Sequence, residues 1–322
     1  MLSRRQLVFG SATFLGLAPL GGLSARGAWA PKQIEIYVPY AAGGGTDAIA
    51  RLYASAVAAI LHVPVIVVNK PGGRSIPAYQ ALLNGPSDGS TLLFDNSSNA
   101  LQQLFRVPYD PFKDFEPVSL AAIGSSVLVV SPTLGAETYQ QFVERARAAP
   151  GEISFGSYGT GSISHLQQEV LSQSAKIRVQ HVPYRGSAPA LNDLVGGHIQ
   201  ALFADAVAAL PLVSAGAVKA IAAVGSDRVK TYPDVPTFGE LGVSELSVPG
   251  WWGFFARRGV PSEVISTIRE SISQAAKNPD MARLVDLGAE SRTSSSDAFA
   301  QMIRKDADRW KDVVSARDIK LE

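Results

Sequence analysis

Residues 34–61 read IEIYVPYAAGGGTDAIARLYASAVAAIL, a stretch that predicts a strand, a glycine-rich turn and a helix in succession. Ile34–Tyr40 is rich in β-branched residues and ends in Pro-Tyr, which is typical of a strand. Ala41–Thr46 is the turn, and apolar residues at near-helical spacing follow it over Asp47–Leu61. A strand that passes through such a turn into a helix is the repeating unit of an α/β fold.

This alternation of strand, turn and helix occurs twice along the chain. In the first half, strands are predicted at 65–69 and 91–94 with a short helix at 79–83. It starts again with helix 139–148, strand 153–155 and a second glycine turn, Gly156–Ser162. The further predicted elements are helices at 164–174, 188–195, 262–276, 280–287 and 296–311, and strands at 179–182, 199–204 and 220–224.

Two apolar segments, 115–130 and 248–255, are predicted to cross between the two repeats. The sequence therefore predicts an α/β protein of two domains joined by a hinge, each a mostly parallel sheet flanked by helices. Domain 1 is expected to contain residues 31–127 plus 250–322, and domain 2 residues 128–249.

Composition excludes several classes of function. The formal net charge of the 322 residues is +1, and no basic run follows the N-terminus, so nucleic acid is not expected as a partner. The chain has no cysteine, which excludes a thiol nucleophile, a disulfide framework and a cysteine-bound metal. With four histidines, a zinc site is poorly supported, and no cofactor is expected.

Residues 1–30 have the pattern of an export signal. Arg4-Arg5 precedes the uncharged apolar stretch 7–23, and Ala28-Trp29-Ala30 offers small residues for cleavage. Both a twin-arginine signal and an ordinary secretory signal fit the arginine pair. We expect an exported, periplasmic protein that is soluble once the signal is removed.

The two glycine turns are the strongest candidates for a binding site. The N–H groups at a helix start and the positive end of its dipole favour an anion, and glycines let the backbone approach it. Thr46, Ser157, Thr160 and Ser162 add hydroxyl donors. Each turn taken alone is equally well explained as a tight turn with a helix cap. Neither has the spacing of a P-loop or a dinucleotide fingerprint.

Other polar groups follow predicted strands. Asn96-Ser97 either points into a cleft or forms a solvated turn. Arg185 either binds a ligand carboxylate or pairs with a structural acid such as Asp205. Ser162 and His165 suggest an alternative, an exported serine hydrolase, but no G-x-S-x-G motif is present.

Six ordered blocks resemble the tripartite tricarboxylate transporter substrate-binding proteins, also called the Bug family. They extend over nearly all of the chain beyond residue 30. The blocks are VPYAAGGGTDAIAR (38–51), VVNKPGG (67–73), PYDPFKDFEPV (108–118), FGSYGTGSISHL (155–166), HVPYRGSAPALNDLVGG (181–197) and YPDVPTFGELG (232–242).

The resemblance implies a periplasmic-binding-protein fold, type II-like, that closes on a small organic acid and is not an enzyme. It implies a di- or tricarboxylate, acidic amino acid or aromatic acid as ligand, and a monomer that serves either transporter membrane subunits or a sensor kinase. Arg74 departs from the family pattern and either engages a second acidic group or is solvated. The expected ligand-binding residues are Tyr40, Ala42, Gly43, Gly44, Gly45, Thr46, Asp47, Asn96, Ser97, Ser157, Thr160, Gly161, Ser162, His165, Tyr184, Arg185, Gly186 and Asp205.

Overall fold

The computed structural model describes residues 29–320. The predicted export signal lies outside the described residues except for its last two positions. Among residues 29–320, none of the helices combines the length and the hydropathy that a bilayer span requires. From Pro31 onward the chain forms one compact unit.

Strands and helices alternate along most of this unit. The strands are β1 (Ile34–Val38), β2 (Val65–Asn69), β3 (Thr91–Asn96), β4 (Phe115–Gly124), β5 (Ser126–Val130), β6 (Ser154–Ser157), β7 (Gln180–Pro183), β8 (Ala201–Asp205), β9 (Lys219–Ala223), β10 (Gly250–Arg257) and β11 (Ala289–Ser291). The helices are α1 (Gly45–Leu61), α2 (Ile76–Asn84), α3 (Tyr139–Ala148), α4 (Ile163–Ala175), α5 (Ser187–Val195), α6 (Ala206–Ser214), α7 (Ser262–Ala275), α8 (Ala282–Asp286) and α9 (Ser296–Ala316). A 3-10 segment, Ser97–Leu104, directly follows β3.

The strands form two sheets, and we call each sheet with its helices a lobe. The first lobe has a six-stranded sheet in the order β11-β4-β10-β3-β1-β2, and the second a five-stranded sheet in the order β7-β6-β8-β5-β9. The chain changes sheet at Ser125, between β4 and β5, and returns between β9 and β10. The exact domain boundaries given above stay predictions.

Both sheets are mixed, whereas the sequence predicted mostly parallel ones. β1 pairs with β2 and β3 in parallel, but β10 runs antiparallel to β3 and β4, and β11 runs antiparallel to β4. In the second lobe β5 is antiparallel to both β8 and β9. The antiparallel pairs involve the segments that cross between lobes, and an apolar run shows that a strand is buried without showing its direction.

Two apolar clusters lie in the two lobes, and α9 packs on both. Phe299 and Ile303, near the start of α9, pack with first-lobe residues such as Leu93 and Phe255. Trp310, further along α9, packs with the cluster that contains the second-lobe residue Phe203. The C-terminal helix therefore ties the two lobes together along its length.

Sequence patterns missed some elements and misplaced some ends. Helix α6 was not predicted, because Ala206–Ser214 is apolar all round and contains Pro211. β11 was missed because it has three residues. The amphipathic pattern continues to Ala316, so α9 is longer than predicted.

Candidate ligand-binding cavity

A cavity of about 290 Å³ lies between the lobes. It opens where β1, β6 and β7 end, which is the edge at which ligands bind to open α/β sheets. First-lobe residues on its wall are Pro39, Tyr40, Gly72, Gly73, Arg74, Ser75, Ser98 and Gln102, and second-lobe residues are Tyr158, Gly159, Thr160, Gly161, Ser162, Pro183, Tyr184 and Arg185.

Tyr40 and Tyr158 form the aromatic part of the wall, one from each lobe. Their rings meet edge to face with centroids 6.3 Å apart. The Tyr40 hydroxyl donates to Asn96 Oδ1 at 3.2 Å, and the Tyr158 hydroxyl accepts from the Asp205 N–H at 2.5 Å. Burial raises the pKa of both phenols well above 10, so both remain neutral.

The second glycine turn forms the opposite wall. Gly159 and Gly161 have φ of 135° and 79°, which L-residues rarely adopt. Internal hydrogen bonds use most of its N–H groups, since Gly159 donates to Ser157 Oγ and Gly161 to His165 Nδ1. Thr160 differs, because within the described residues neither its N–H nor its hydroxyl has a hydrogen-bond partner. Thr160 therefore offers two free donors on the cavity wall.

Helix α4 starts at this wall. Ser162 caps it, accepting from the His165 N–H at 3.4 Å. The Ile163 N–H donates at 3.0 Å to Ser98 Oγ, which belongs to the first lobe. The positive end of a 13-residue helix thus faces the cavity and is already connected to the opposite lobe.

Arg74 and Arg185 are exposed side chains at the cavity, one from each lobe. The backbone of Arg185 is fixed between the lobes, because its carbonyl accepts from the Ala41 N–H at 2.8 Å. No ion pair joins Arg185 to Asp205 among the described residues, so the alternative of a structural pair is wrong. Tyr184 beside it donates its hydroxyl to Asp193 at 2.7 Å.

The first glycine turn lies against the second lobe rather than on the cavity wall. A methyl group on Gly44 would lie 2.5 Å from Ser187 Oγ, and one on Gly45 would lie 2.6 Å from Asp205 Oδ2. Gly186 in turn lies against Tyr40 and Ala41. The turn therefore forms a close contact between lobes at the start of α1.

Asp205 is the buried acid in this contact. Burial raises the pKa of its carboxyl to about 7, and the hydrogen bond with Tyr158 partly opposes that rise. The positive end of α1 beside it favours the ionised form and so acts against the effect of burial.

Thr46, Asn96 and Ser97 are buried behind the wall in a hydrogen-bond network. Thr46 Oγ1 accepts from Asn96 Nδ2 at 3.1 Å and from Trp252 Nε1 at 3.0 Å, and Ser97 Oγ accepts from the Trp251 N–H at 2.9 Å. Asp47 is held by Arg51, Asn69 and the Gly43 N–H. These groups hold β3 and β10 against the start of α1.

The hydrolase alternative requires Ser162 and His165 to act as a pair. Ser162 Oγ instead contacts Ser164 Oγ at 3.0 Å, and His165 Nδ1 accepts from the Gly161 N–H. Burial, His181 and Arg74 lower the pKa of His165 to about 3. The geometry therefore does not support a serine nucleophile with a histidine base.

His181, which the sequence did not connect to His165, stacks on it with centroids 3.8 Å apart. Burial lowers the pKa of His181 as well, and Ser157 Oγ lies 2.7 Å from its Nε2. No cluster of three metal-ligating side chains occurs within residues 29–320.

The structure brings a third of the predicted residues to the cavity wall. These are Tyr40, Thr160, Gly161, Ser162, Tyr184 and Arg185. Ala42, Gly43, Gly44, Gly45, Thr46, Asp47, Asn96, Ser97, Ser157, His165, Gly186 and Asp205 do not line it. The expected ligand-binding residues did not include Ser98, Gln102, Tyr158 and Gly159, although Tyr158 and Gly159 belong to the predicted second glycine turn. For Ser98 the signal was its place in the polar loop after β3. The ligand-binding role of each residue stays a prediction.

Residues 49–319 match the sequence model of the tripartite tricarboxylate transporter family receptor. A relative from Pseudomonas sp. strain P51 is 33% identical over 291 residues, which are 89% of this chain and 87% of the relative. BugT of Bordetella pertussis is 29% identical and is matched over 96% of each chain.

Solved structures give the same result. The periplasmic binding protein BugD has a TM-score of 0.87 at 26% identity, over 90% of this chain and 99% of its own. A Rhodopseudomonas palustris protein solved with adipate has a TM-score of 0.86 at 26% identity, over 90% and 99%. Another from R. palustris, with bound malate, has a TM-score of 0.82 at 30% identity, over 88% and 98%. The predicted two-domain periplasmic-binding-protein fold is thereby confirmed.

Proposed function

The chain belongs to the tripartite tricarboxylate transporter receptor family, the Bug family, whose members are periplasmic solute-binding receptors, and from this premise we propose that it captures a small organic acid through a carboxylate. The site is the cavity between the lobes, and Thr160 is the main donor to the carboxylate.

The chemistry of the cavity wall carries this proposal. The wall includes two arginines and the start of α4, and none of the described residues on it is acidic. Such a surface attracts an anion and gives no charge partner to a cation. The adipate and malate in the two R. palustris neighbours are both carboxylates, which supports the same class of ligand here.

The ligand is expected to act by contacting both lobes. Tyr40, Ser98 and Arg74 come from the first lobe, and Thr160 and Arg185 from the second. A ligand shifts an equilibrium between open and closed forms only by its difference in affinity for the two. An acid that bridges the wall binds the closed form more tightly and so favours it.

We propose the following cellular setting by analogy with the family. Residues 1–30 act as the export signal, and the remaining chain works as a periplasmic monomer with residues 31–127 plus 250–322 and 128–249 as its two domains. It delivers its ligand either to transporter membrane subunits or to a sensor kinase. It needs no cofactor and catalyses no reaction.

A thermal-shift screen against di- and tricarboxylates, acidic amino acids and aromatic acids tests the proposal. A binding acid raises the melting temperature by mass action. Thr160→Val replaces the hydroxyl by a methyl group of similar size. It should weaken binding of that acid by about tenfold, the size of one hydrogen bond to a charged group. Thr267→Val, on the exposed side of α7, is the matched control and should leave the affinity unchanged. Absence of any shift across the whole panel would overturn the proposal.

A further inference from the structure

We propose that Arg74 and Arg185 make this cavity selective for a ligand with two anionic groups, and that the second negative charge stabilises the closed arrangement of the lobes. This inference rests on the function proposed above and names its substrate class, a dianionic organic acid. It assigns the role of selectivity to two side chains from opposite lobes.

The backbone around Arg74 is unusual. Gly72, Gly73, Arg74 and Ser75 have φ of 93°, 55°, 55° and 67°, so four successive residues have positive φ. A residue with a Cβ costs about 1–2 kcal/mol in the left-handed region. Such strain is characteristic of functional sites, where the surrounding structure holds it in place. Here it presents the Arg74 side chain at the cavity.

Phe105 fixes the position of Arg74 relative to the second glycine turn. The Arg74 guanidinium lies over the Phe105 ring, 4.8 Å from its centroid. The same ring packs on Gly161, where a methyl group would lie 2.5 Å from Cζ of Phe105. The charge of Arg74 also contributes to the lowered pKa of His165, on the first turn of α4. Arg74 therefore faces the second lobe.

Arg185 approaches the segment that carries Arg74 from the second lobe. Its carbonyl is fixed by the Ala41 N–H, and a methyl group on Gly72 would lie 4.0 Å from its Cγ, Cδ and Nε. Gly72 begins the strained segment that carries Arg74. The two arginines thus reach one cavity from opposite sides of the interface.

Neither guanidinium has a carboxylate partner within the described part of the chain. Arginines elsewhere do, as in the pairs of Arg51 with Asp47 and Arg309 with Asp306. Two unpaired cations on opposite lobes repel one another, and this repulsion opposes closure. A ligand with one carboxylate at Thr160 and a second anionic group between the arginines removes the repulsion and gains charge-assisted hydrogen bonds.

The test compares malonate, succinate, malate, glutarate and adipate with their monomethyl esters by calorimetry. The wild type should bind the best diacid about tenfold or more tightly than its ester, the effect of one lost charge-assisted contact. Arg74→Gln and Arg185→Gln should each reduce this preference several-fold while the ester affinity stays the same or rises. Arg178→Gln, which removes an equal charge at an exposed site off the cavity, is the matched control and should keep the preference.

Closure is tested separately by small-angle X-ray scattering without ligand. The double variant Arg74→Gln/Arg185→Gln should be more compact than the wild type, because the repulsion between lobes is gone. Equal binding of diacid and ester, or an unchanged preference in both single variants, would overturn the inference and leave the proposed function standing. If neither diacids nor esters bind and no acid of the wider panel binds either, both the inference and the proposed function are refuted.

Discussion

Arg74 and Ser75 hold left-handed backbone angles although neither is glycine, and Ser75 is buried in that conformation. The Arg74 side chain is exposed and contacts the Phe105 ring, and Gln102 Nε2 donates to the Arg74 carbonyl at 3.4 Å. The proposed role of Arg74 gives a reason for this conformation, which exchanges stability for the placement of a charge.

Arg74→Gly should separate these two properties. Glycine adopts φ of 55° without a steric cost, so the free energy of unfolding should rise by about 1 kcal/mol in chemical denaturation. Affinity for the diacid should fall in the same variant. Arg178 does not have a positive φ, so Arg178→Gly should instead lower the free energy of unfolding by roughly 0.5–1 kcal/mol. A loss of stability in Arg74→Gly would show that the backbone there is not strained.

Among the elements, the starts of α1 and α4 have different tasks. The start of α4 lies on the cavity wall, whereas that of α1 is buried against Asp205 and Ser187 of the second lobe. A glycine at the first position of α1 leaves room for this contact. One glycine turn therefore lines the cavity, where ligand binding is proposed, and the other forms the contact between lobes.

Gly45→Ala should weaken ligand binding without unfolding the protein. Its methyl group would lie 2.7 Å from Cβ of Asp205, an atom that cannot move without the backbone, so the closed interface is strained by about 1–3 kcal/mol. Calorimetry should show a loss of affinity of about tenfold, while the helix itself tolerates alanine well. Gly44→Ala is the control, because the one atom that its methyl group would approach too closely is the rotatable Ser187 hydroxyl. Equal affinities in the two variants would refute this role of the α1 start.

The sequence predicted the elements well where its signal was local. Strands β1 and β2, the turn Gly156–Ser162 and helix α4 follow from β-branched runs, glycines and helical spacing. Contacts between lobes left no such signal. Ser98 accepts from the Ile163 N–H of the other lobe, 65 positions along the chain. Within the second lobe, His181 of β7 stacks on His165 of α4, and this contact also left no local signal. Strand direction and the partners of each turn depend on tertiary packing, which residue spacing does not encode.

At the scale of the whole molecule, the two lobes are joined by a helix and by two crossings of the chain. Helix α9 packs on both apolar clusters, and Arg317 near its end forms an ion pair with Glu245. The chain passes between sheets at Ser125 and again between β9 and β10. These connections join the two lobes, and a change in the cavity between them would have to be accommodated at the crossovers.

The crystal structure of the wild type with the diacid that binds most tightly is the most direct test. We expect one carboxylate within hydrogen-bonding distance of the Thr160 N–H and hydroxyl, and the other between the guanidinium groups of Arg74 and Arg185. A diacid bound outside the cavity of about 290 Å³, or inside it with both arginines turned away, would contradict the account.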